Sequence, residues 1–429
     1  MQLKIKQLIS FFSLSSIFTL LYIFSIYQSS YSLIPIFLII VILIAIYLVR
    51  YDLPLVLFWF FLFLFPFDFL LGLYSGGKLL PVYKFEYLNQ VFYSFSISIS
   101  ILASFMKDSS RRVVFIGHGL SLIRSDTILY IYILAAFALT VSIKGNISVF
   151  SENSYSQYQD NLRMGSGIIE YVLMIFIAIL FFRKSSVLLF LCVACISFYI
   201  VKMFLLGFRV QTIVGVLILF FMIRNKHPKP ILNIMLCFCS FLFMLSYGII
   251  KEGVNIIDDG VTFNVLLDTR YGYIQSHQHG VLSSSSVILS HPLPNDIPSV
   301  LLIPSTFLAS ILPRFLLDSY IPFVYPSAYV QTFEYTPGGG IFSTQIFHLL
   351  GTAGLLFLSF LLAMTFRLYL VSKSVNIFVV SAITLLCFFP RWVSYDFFNF
   401  GMRTILIVLF LVYTPKFFFF MKVRYARNL

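Results

Sequence analysis

Apolar runs of about 15–22 residues, separated by short polar segments, dominate the pattern of this chain. A helix of about 20 apolar residues is long enough to cross the roughly 30 Å hydrocarbon core of a bilayer. The strands of a membrane barrel would instead alternate apolar and polar residues over about ten positions. The pattern therefore predicts an all-α, polytopic membrane protein.

About twelve transmembrane helices are predicted, at residues 8–27, 33–49, 55–74, 88–106, 126–143, 167–182, 186–206, 210–223, 231–250, 345–366, 375–390 and 404–421. The span 210–223 is short, and we expect it to include a turn from its flanks. The first run follows Lys4 and Lys6, as a signal peptide would, but it lacks a small-residue cleavage site. We therefore expect an uncleaved membrane anchor.

Composition excludes an ordinary water-soluble domain. Hydrophobic residues make up 60% of the 429 positions and charged residues 10%, against about 25% charged residues in a typical soluble domain. The five cysteines all fall inside predicted spans, so no disulfide framework is expected. Cys192 and Cys195 have C-x-x-C spacing, but in an apolar helix we interpret them as small hydrophobic side chains.

The basic residues predict the orientation, because Lys and Arg concentrate in cytoplasmic loops. With both termini in the cytoplasm, 18 of the 29 basic residues and only three acids lie on the inner side, against 11 basic residues and 13 acids outside. The net charge of +13 is therefore an orientation signal. It does not indicate a nucleic-acid partner.

One long polar segment, residues 251–344, follows the nine helices predicted within 1–250 and precedes the three predicted within 345–429. Residues 1–250, 251–344 and 345–429 are expected to form a single integrated domain. The segment is predicted to be a large extracytoplasmic loop and holds seven of the 16 acids and three of the six histidines. Loops of this length are usually functional or disordered, and its aromatic content favours packing. The apolar stretch 299–312 is too short to span and predicts an interfacial or re-entrant helix.

Arginines on the predicted outer face are candidates for binding an anion, because a guanidinium fork binds phosphate oxygens bidentately. They are Arg163, Arg209, Arg270, Arg314, Arg391 and Arg403. Each could instead extend to lipid headgroups or pair with an acid such as Asp396. Six together favour a shared anionic-ligand site that contains at least two of them.

Acids and histidines on the same face are candidate general bases. The acids are Glu170, Asp268, Asp318 and Glu334, and the histidines are His277, His279 and His291. Among these we select Glu334, His279 and Glu170 as candidate catalytic residues. His277 and His279 could form a metal pair, but no further ligand lies at a recognisable spacing, so a hydrogen-bonded surface pair is expected and no metal site is predicted. No nucleotide-binding motif is present.

Several short motifs resemble those of bacterial O-antigen polymerases, also called oligosaccharide repeat-unit polymerases. They are the aromatic-rich spans, Gly207-Phe208-Arg209, the large late outer loop, Leu312-Pro313-Arg314-Phe315, and Gly338–Gly340 leading to Gly351-x-x-Gly354. The resemblance covers most of the chain in layout. It implies a C-type membrane glycosyltransferase-like fold, similar to that of O-antigen ligases.

The resemblance also implies a substrate and a site. The donor would be an undecaprenyl-pyrophosphate-linked oligosaccharide in the bacterial inner membrane, with membrane lipids and a chain-length regulator protein as further partners. Arg209, and then Arg314 and Arg270, would bind the pyrophosphate, with Arg163 and Arg403 drawn from the same outward set. Inverting transfer would need no cofactor. Where related chains carry an acid after the loop, this chain has Gln345 and His348.

Three other functions fit the same sequence features. An O-antigen ligase would share the fold and the donor and would differ in the acceptor. A lipid-linked oligosaccharide flippase could have twelve spans, but it would not need a ninety-residue outer loop. The third is a non-enzymatic membrane scaffold.

The predicted orientation is tested by topology reporters fused within the full chain. Reporters are expected inside at Arg183, Lys226 and Lys373, and outside at Asn264, His291 and Ser327. A cytoplasmic signal from the 251–344 segment would contradict the orientation. It would also contradict a function at the outer face.

Overall fold

The computed structural model describes residues 5–28, 31–74, 84–106, 125–147, 168–182, 184–223, 235, 277–292, 334, 339–372 and 374–427. The regular elements in these ranges are helices. They are α1 Ile5–Gln28, α2 Leu33–Leu48, α3 Leu53–Tyr74, α4 Phe85–Met106, α5 Asp126–Ser142, α6 Ile168–Ile179, α7 Ser186–Leu205, α8 Arg209–Ile223, α9 His277–Ser290, α10 Phe342–Val371, α11 Ile377–Ser394, the π-helix Phe397–Met402 and α12 Arg403–Arg427.

Seven of the described helices are long and apolar enough to cross a membrane. These candidate spans are Lys6–Gln28, Leu53–Tyr74, Glu86–Met106, Ser186–Leu205, Phe342–Val371, Ile377–Ser394 and Phe400–Phe417. Helices α2, α5, α6 and α8 are apolar but shorter. The predicted span 231–250, apart from Met235, and the predicted re-entrant stretch 299–312 lie outside the described residues. In the described ranges the chain is therefore helical, with helices that are long and apolar enough to span a membrane. The total of twelve stays a prediction.

The chain divides into two compact units, each assembled from separate parts of the sequence. Unit 1 comprises Met1–Arg112, Leu267–Val371 and Phe389–Arg403. Unit 2 comprises Val113–Leu266, Ser372–Phe388 and Thr404–Leu429. Unit 1 therefore combines the first four helices with α9, α10, the end of α11 and the π-helix.

Helix α4 is the central helix of unit 1, where it packs against α1, α2, α9 and α10. Its buried polar positions are Asn89 and five serines: Ser94, Ser96, Ser98, Ser100 and Ser104. Small side chains let helices approach closely inside a membrane bundle, and their hydroxyls can bond across the interface. Ser98 does so, sharing a 2.9 Å hydrogen bond with Ser359 of α10.

A cluster of aromatic rings fills the core of unit 1 around Trp392. The Trp392 ring lies 5.3 Å from that of Phe342, 5.7 Å from that of Phe397 and 5.8 Å from that of Phe58, measured between centroids. Ring pairs at such separations stabilise a core beyond the area they bury. Phenylalanine side chains thus pack with Trp392 to join α3, α10 and the end of α11.

Helix α10 is kinked at Gly351, whose φ of 64° and ψ of −165° are not helical. A residue with a Cβ is strained at such a φ, so glycine is required at this position. Beyond the kink, Arg367 donates to Gln7 at 2.5 Å and Tyr369 donates to Asp52 at 3.1 Å. The end of α10 is thereby fastened to the beginnings of α1 and α3.

The beginning of α10 is held by one buried amide, that of Gln345. Its Nε2 donates to the carbonyls of Gly339, Gly340 (3.1 Å) and Tyr395 (2.5 Å), and its Oε1 accepts from the Phe397 amide at 3.0 Å. Gly339 lies directly against the Tyr395 backbone, where a Cβ would not fit. The glycine run therefore lets the chain approach its own backbone, and Gln345 is a structural residue.

Unit 2 uses polar side chains to cap its helices. Lys202 donates to the carbonyls of Thr140 (2.8 Å) and Val141 (3.1 Å) at the end of α5, where a positive charge is favoured by the helix dipole. Cys192 and Cys195 are buried free thiols. They occupy space in α7, in keeping with their apolar surroundings.

Gln345→Glu should destabilise unit 1, because a carboxylate has no hydrogen to donate to the carbonyls that share the two amide hydrogens. Leaving buried acceptors unpaired costs about 1–3 kcal/mol each, so the free energy of unfolding should fall by about 3 kcal/mol or more. Melting of the detergent-purified chain measures this. Gln28→Glu, at an exposed helix end, is the matched control, and equal melting of both variants would contradict the structural role.

Candidate functional site

The most unexpected element is α9, a polar helix that lies inside unit 1. All its side chains from His279 to Ile288 are buried, although the segment belongs to the predicted outer loop. It packs against α3, α4 and α10. Four consecutive serines, at residues 283–286, make up its middle.

The beginning of α9 is paired with a carboxylate of α3. His279 is fully buried, and its Nδ1 lies 2.7 Å from Oδ2 of Asp68. An ionisable residue inside an apolar span is costly unless it is paired, and it is a functional candidate by default. The expectation of a surface histidine pair is therefore wrong for His279, because Asp68 supplies a partner inside the bundle.

The end of α9 meets a second acid, Glu334. Lys84 Nζ lies 2.9 Å from Oε1 of Glu334, and His291 Nε2 lies 3.7 Å from Oε2. The two carboxylate oxygens thus face two different basic groups. We name Lys84, Glu334, His291 and His348 the Glu334 cluster.

Backbone contacts hold the Glu334 cluster in place. His348 Nε2 donates to the His291 carbonyl at 2.7 Å. The Lys84 amide donates to the Ser286 hydroxyl at 3.0 Å, so the start of α4 is joined to α9. The Ile341 amide donates likewise to Ser285 at 2.8 Å. The cluster therefore sits on three elements that are fixed to one another.

Two of the three predicted catalytic residues, Glu334 and His279, do not converge on one centre. Glu334 and His279 contact opposite ends of α9, and at 1.5 Å per residue these ends are about 18 Å apart. Glu170 belongs to unit 2, where it is buried and its Oε1 accepts from Gln211 at 3.2 Å. Glu334 differs from both because 26% of its side chain is exposed.

Most of the predicted arginine site lies beyond the described residues. Arg163, Arg270 and Arg314 are not described, and Arg209 is described only as the first residue of α8. Arg403 begins α12 and is partly exposed. The pyrophosphate site therefore stays a prediction.

Arg391, another predicted outward arginine, contacts aromatic rings in unit 1. Its guanidinium lies 4.2 Å from the ring centroid of Phe400 and 4.8 Å from that of Tyr395. Such cation–π contacts stabilise a charge that is partly removed from water. Arg391 therefore also helps to hold the turn between α11 and the π-helix.

Sequence reasoning missed Asp68 and Lys84. Asp68 is the one acid within the apolar run 55–74, and that isolation was the available signal. Lys84 lies just before the fourth predicted span on the side where basic residues are scarce. A basic residue on that side is informative, so the position of Lys84 was the available signal.

Comparison with protein-family models, curated proteins and solved structures found no match to this chain. Among the residues that the structure describes, no group of three or more His, Cys, Asp and Glu side chains could hold a metal ion.

A double-mutant cycle on Asp68 and His279 should reveal their coupling. A hydrogen bond that involves a charged group contributes about 1.5–3 kcal/mol, so Asp68→Asn and His279→Gln together should destabilise the fold by that much less than the sum of the single changes. Thermal melting in detergent measures the coupling. Asp126→Asn, on the exposed first turn of α5, is the control, and additive effects at Asp68 and His279 would contradict the pair.

Proposed function

We propose that this protein polymerises undecaprenyl-pyrophosphate-linked O-antigen repeat units at the periplasmic face of the bacterial inner membrane, by inverting glycosyl transfer. The membrane-spanning helices and the motif resemblance support the proposal. The observation that carries it is Glu334, a partly exposed carboxylate with Lys84 on one oxygen and His291 beside the other. This arrangement suits a general base that must meet a substrate hydroxyl.

Glu334 is a better general base than the other two candidates. His279 is fully buried against Asp68, and Glu170 is buried against Gln211. A base has to come within hydrogen-bond reach of the proton that it removes. With both termini cytoplasmic, α3 ends and α4 begins at the periplasmic face, so Lys84 and Glu334 would face the substrate there.

The proposed reaction is a single displacement. Glu334 removes the proton from the acceptor sugar hydroxyl, and the oxygen attacks the anomeric carbon of the donor. The bond from that carbon to the pyrophosphate breaks on the opposite face, so the configuration inverts. Undecaprenyl pyrophosphate leaves with the bonding electrons.

Negative charge develops on the pyrophosphate as it leaves, and positioned cations stabilise it. Arg209, Arg314 and Arg270 are the proposed ligands, with Arg163 and Arg403 as further candidates. The leaving group is already a good one, so neither a nucleotide nor a metal cofactor is required by this proposal. A chain-length regulator would act as a partner.

Deleting the gene should leave lipopolysaccharide whose core carries a single repeat unit, because units are still made, moved and ligated. Gel analysis of lipopolysaccharide from the deletion strain and a complemented strain shows this directly. A ligase or flippase deletion would instead leave core with no O-antigen. A wholly unsubstituted core would therefore contradict the polymerase proposal.

Glu334→Gln should reduce chain growth strongly, because the amide keeps the size of the side chain and cannot accept the proton. General acid–base catalysis contributes about 10²–10⁴-fold, so polymer length should collapse towards one repeat at normal membrane abundance. Glu86→Gln is the matched control, since Glu86 is exposed on the first turn of α4. Normal polymer from Glu334→Gln would exclude Glu334 as the base.

A further inference from the structure

The hydrogen-bond partners of His291 determine which ring nitrogen carries the hydrogen. Its Nδ1 lies 3.1 Å from the Val287 carbonyl and 3.0 Å from the Ser290 hydroxyl oxygen. That hydroxyl donates its only hydrogen to the same carbonyl at 2.8 Å. Both neighbours can therefore only accept, and Nδ1 must be the donor.

This tautomer leaves Nε2 as an acceptor when the ring is neutral. Nε2 lies 3.7 Å from Oε2 of Glu334, which is an acceptor too. Two facing acceptors form no hydrogen bond with each other, and one added proton would give the pair a donor. The other carboxylate oxygen is already paired with Lys84 at 2.9 Å, so Oε2 is the one that is turned towards the ring.

We propose that Oε2 of Glu334 and Nε2 of His291 form a site for one exchangeable proton, and that this site, when empty, receives the proton that Glu334 removes from the acceptor hydroxyl. The second part rests on the proposed function. The proton passes from the hydroxyl to Glu334, then to Nε2 of His291, and leaves to water, because 29% of the His291 side chain is exposed. Each turnover thereby restores the carboxylate.

The charged and titratable groups around this pair are few among the described residues. Lys84 lies on Glu334, and His348 of α10 contacts the His291 carbonyl through Nε2. Glu86 of α4 is exposed, and Asp68 of α3 pairs with His279 at the far end of α9. Histidine is the side chain that ordinarily changes charge between about pH 5 and 8, so His291 is the expected source of a pH dependence there.

Two substitutions of His291 separate a proton role from a structural one. His291→Asn places an amide nitrogen near the position of Nδ1, so the bonds to Val287 and Ser290 can remain. His291→Gln extends an amide towards Glu334, so the contact with the carboxylate can remain. Neither amide binds a proton near neutral pH.

In membranes supplied with lipid-linked repeat units, the wild-type rate should fall towards acid pH, because an imidazole that already carries the proton cannot receive another. Both His291 variants should lose this decrease at low pH, and their kcat should be lower by about tenfold or more, with KM unchanged. Rescue of kcat by either variant would indicate a structural role and overturn the proposal. If both variants kept the decrease in rate at low pH, for example through His348, the proposal would be overturned as well.

A readout that needs no activity tests the shared proton itself. Melting of the full chain in detergent is compared for His291→Gln, Glu334→Gln and the double variant, at about pH 5.5 and 8, on either side of the ordinary histidine pKa. A proton bound by the folded pair stabilises the fold at low pH, and this stabilisation is lost as the pH rises. Coupling should therefore be present at the lower pH and weaker at the higher one.

The possible failures are distinguishable. Equal coupling at both pH values would overturn the shared proton. Wild-type membranes that form no polymer would overturn the proposed function together with the transfer step, whatever the melting shows. Polymer formation with an unchanged pH profile in both His291 variants would overturn the transfer step alone. Glu86→Gln serves as the control in every measurement and should match the wild type.

Discussion

A helix with four serines and a buried histidine can lie among apolar helices only if its polar groups find partners there, because an unpaired polar group away from water is costly. Helix α9 has such partners at both ends. Asp68 pairs with His279 at its beginning, and the Glu334 cluster surrounds His291 beyond its end. The hydroxyls of Ser285 and Ser286 accept amides of neighbouring segments.

The same contacts support placing the proposed chemistry at one end of α9. Lys84 joins α4 to α9 through its backbone and holds Glu334 through its ammonium group. His348 of α10 fixes the backbone at His291. The carboxylate is thereby held by residues from several elements while it stays partly exposed, which is what a general base requires. At the other end, His279 has no comparable exposure and serves the packing of the helix.

The helical spans could be predicted because runs of apolar residues report directly on the lipid that surrounds them. The burial of α9 could not, because Ser283–Ser286 has the composition of a solvent-exposed segment. Only its contacts with α3, α4 and α10 make it an interior one. Glu334 and His279 were selected by residue type, but their separation along α9 depends on tertiary structure. From its position after the loop, Gln345 indicated where a general base was expected. Its hydrogen bonds to four backbone atoms show instead that it holds the start of α10 in place.

The most direct measurement of the central claim uses the purified full chain in proteoliposomes with a defined undecaprenyl-pyrophosphate-linked repeat unit and no other protein. The account predicts lipid-linked glycans that lengthen by whole repeat units, with one undecaprenyl pyrophosphate released per bond formed. Lipid A–core should not be required for the lengthening. When it is added, it should not receive the glycan. Movement of the lipid-linked unit across the bilayer without lengthening, or transfer only to lipid A–core, would contradict the claim.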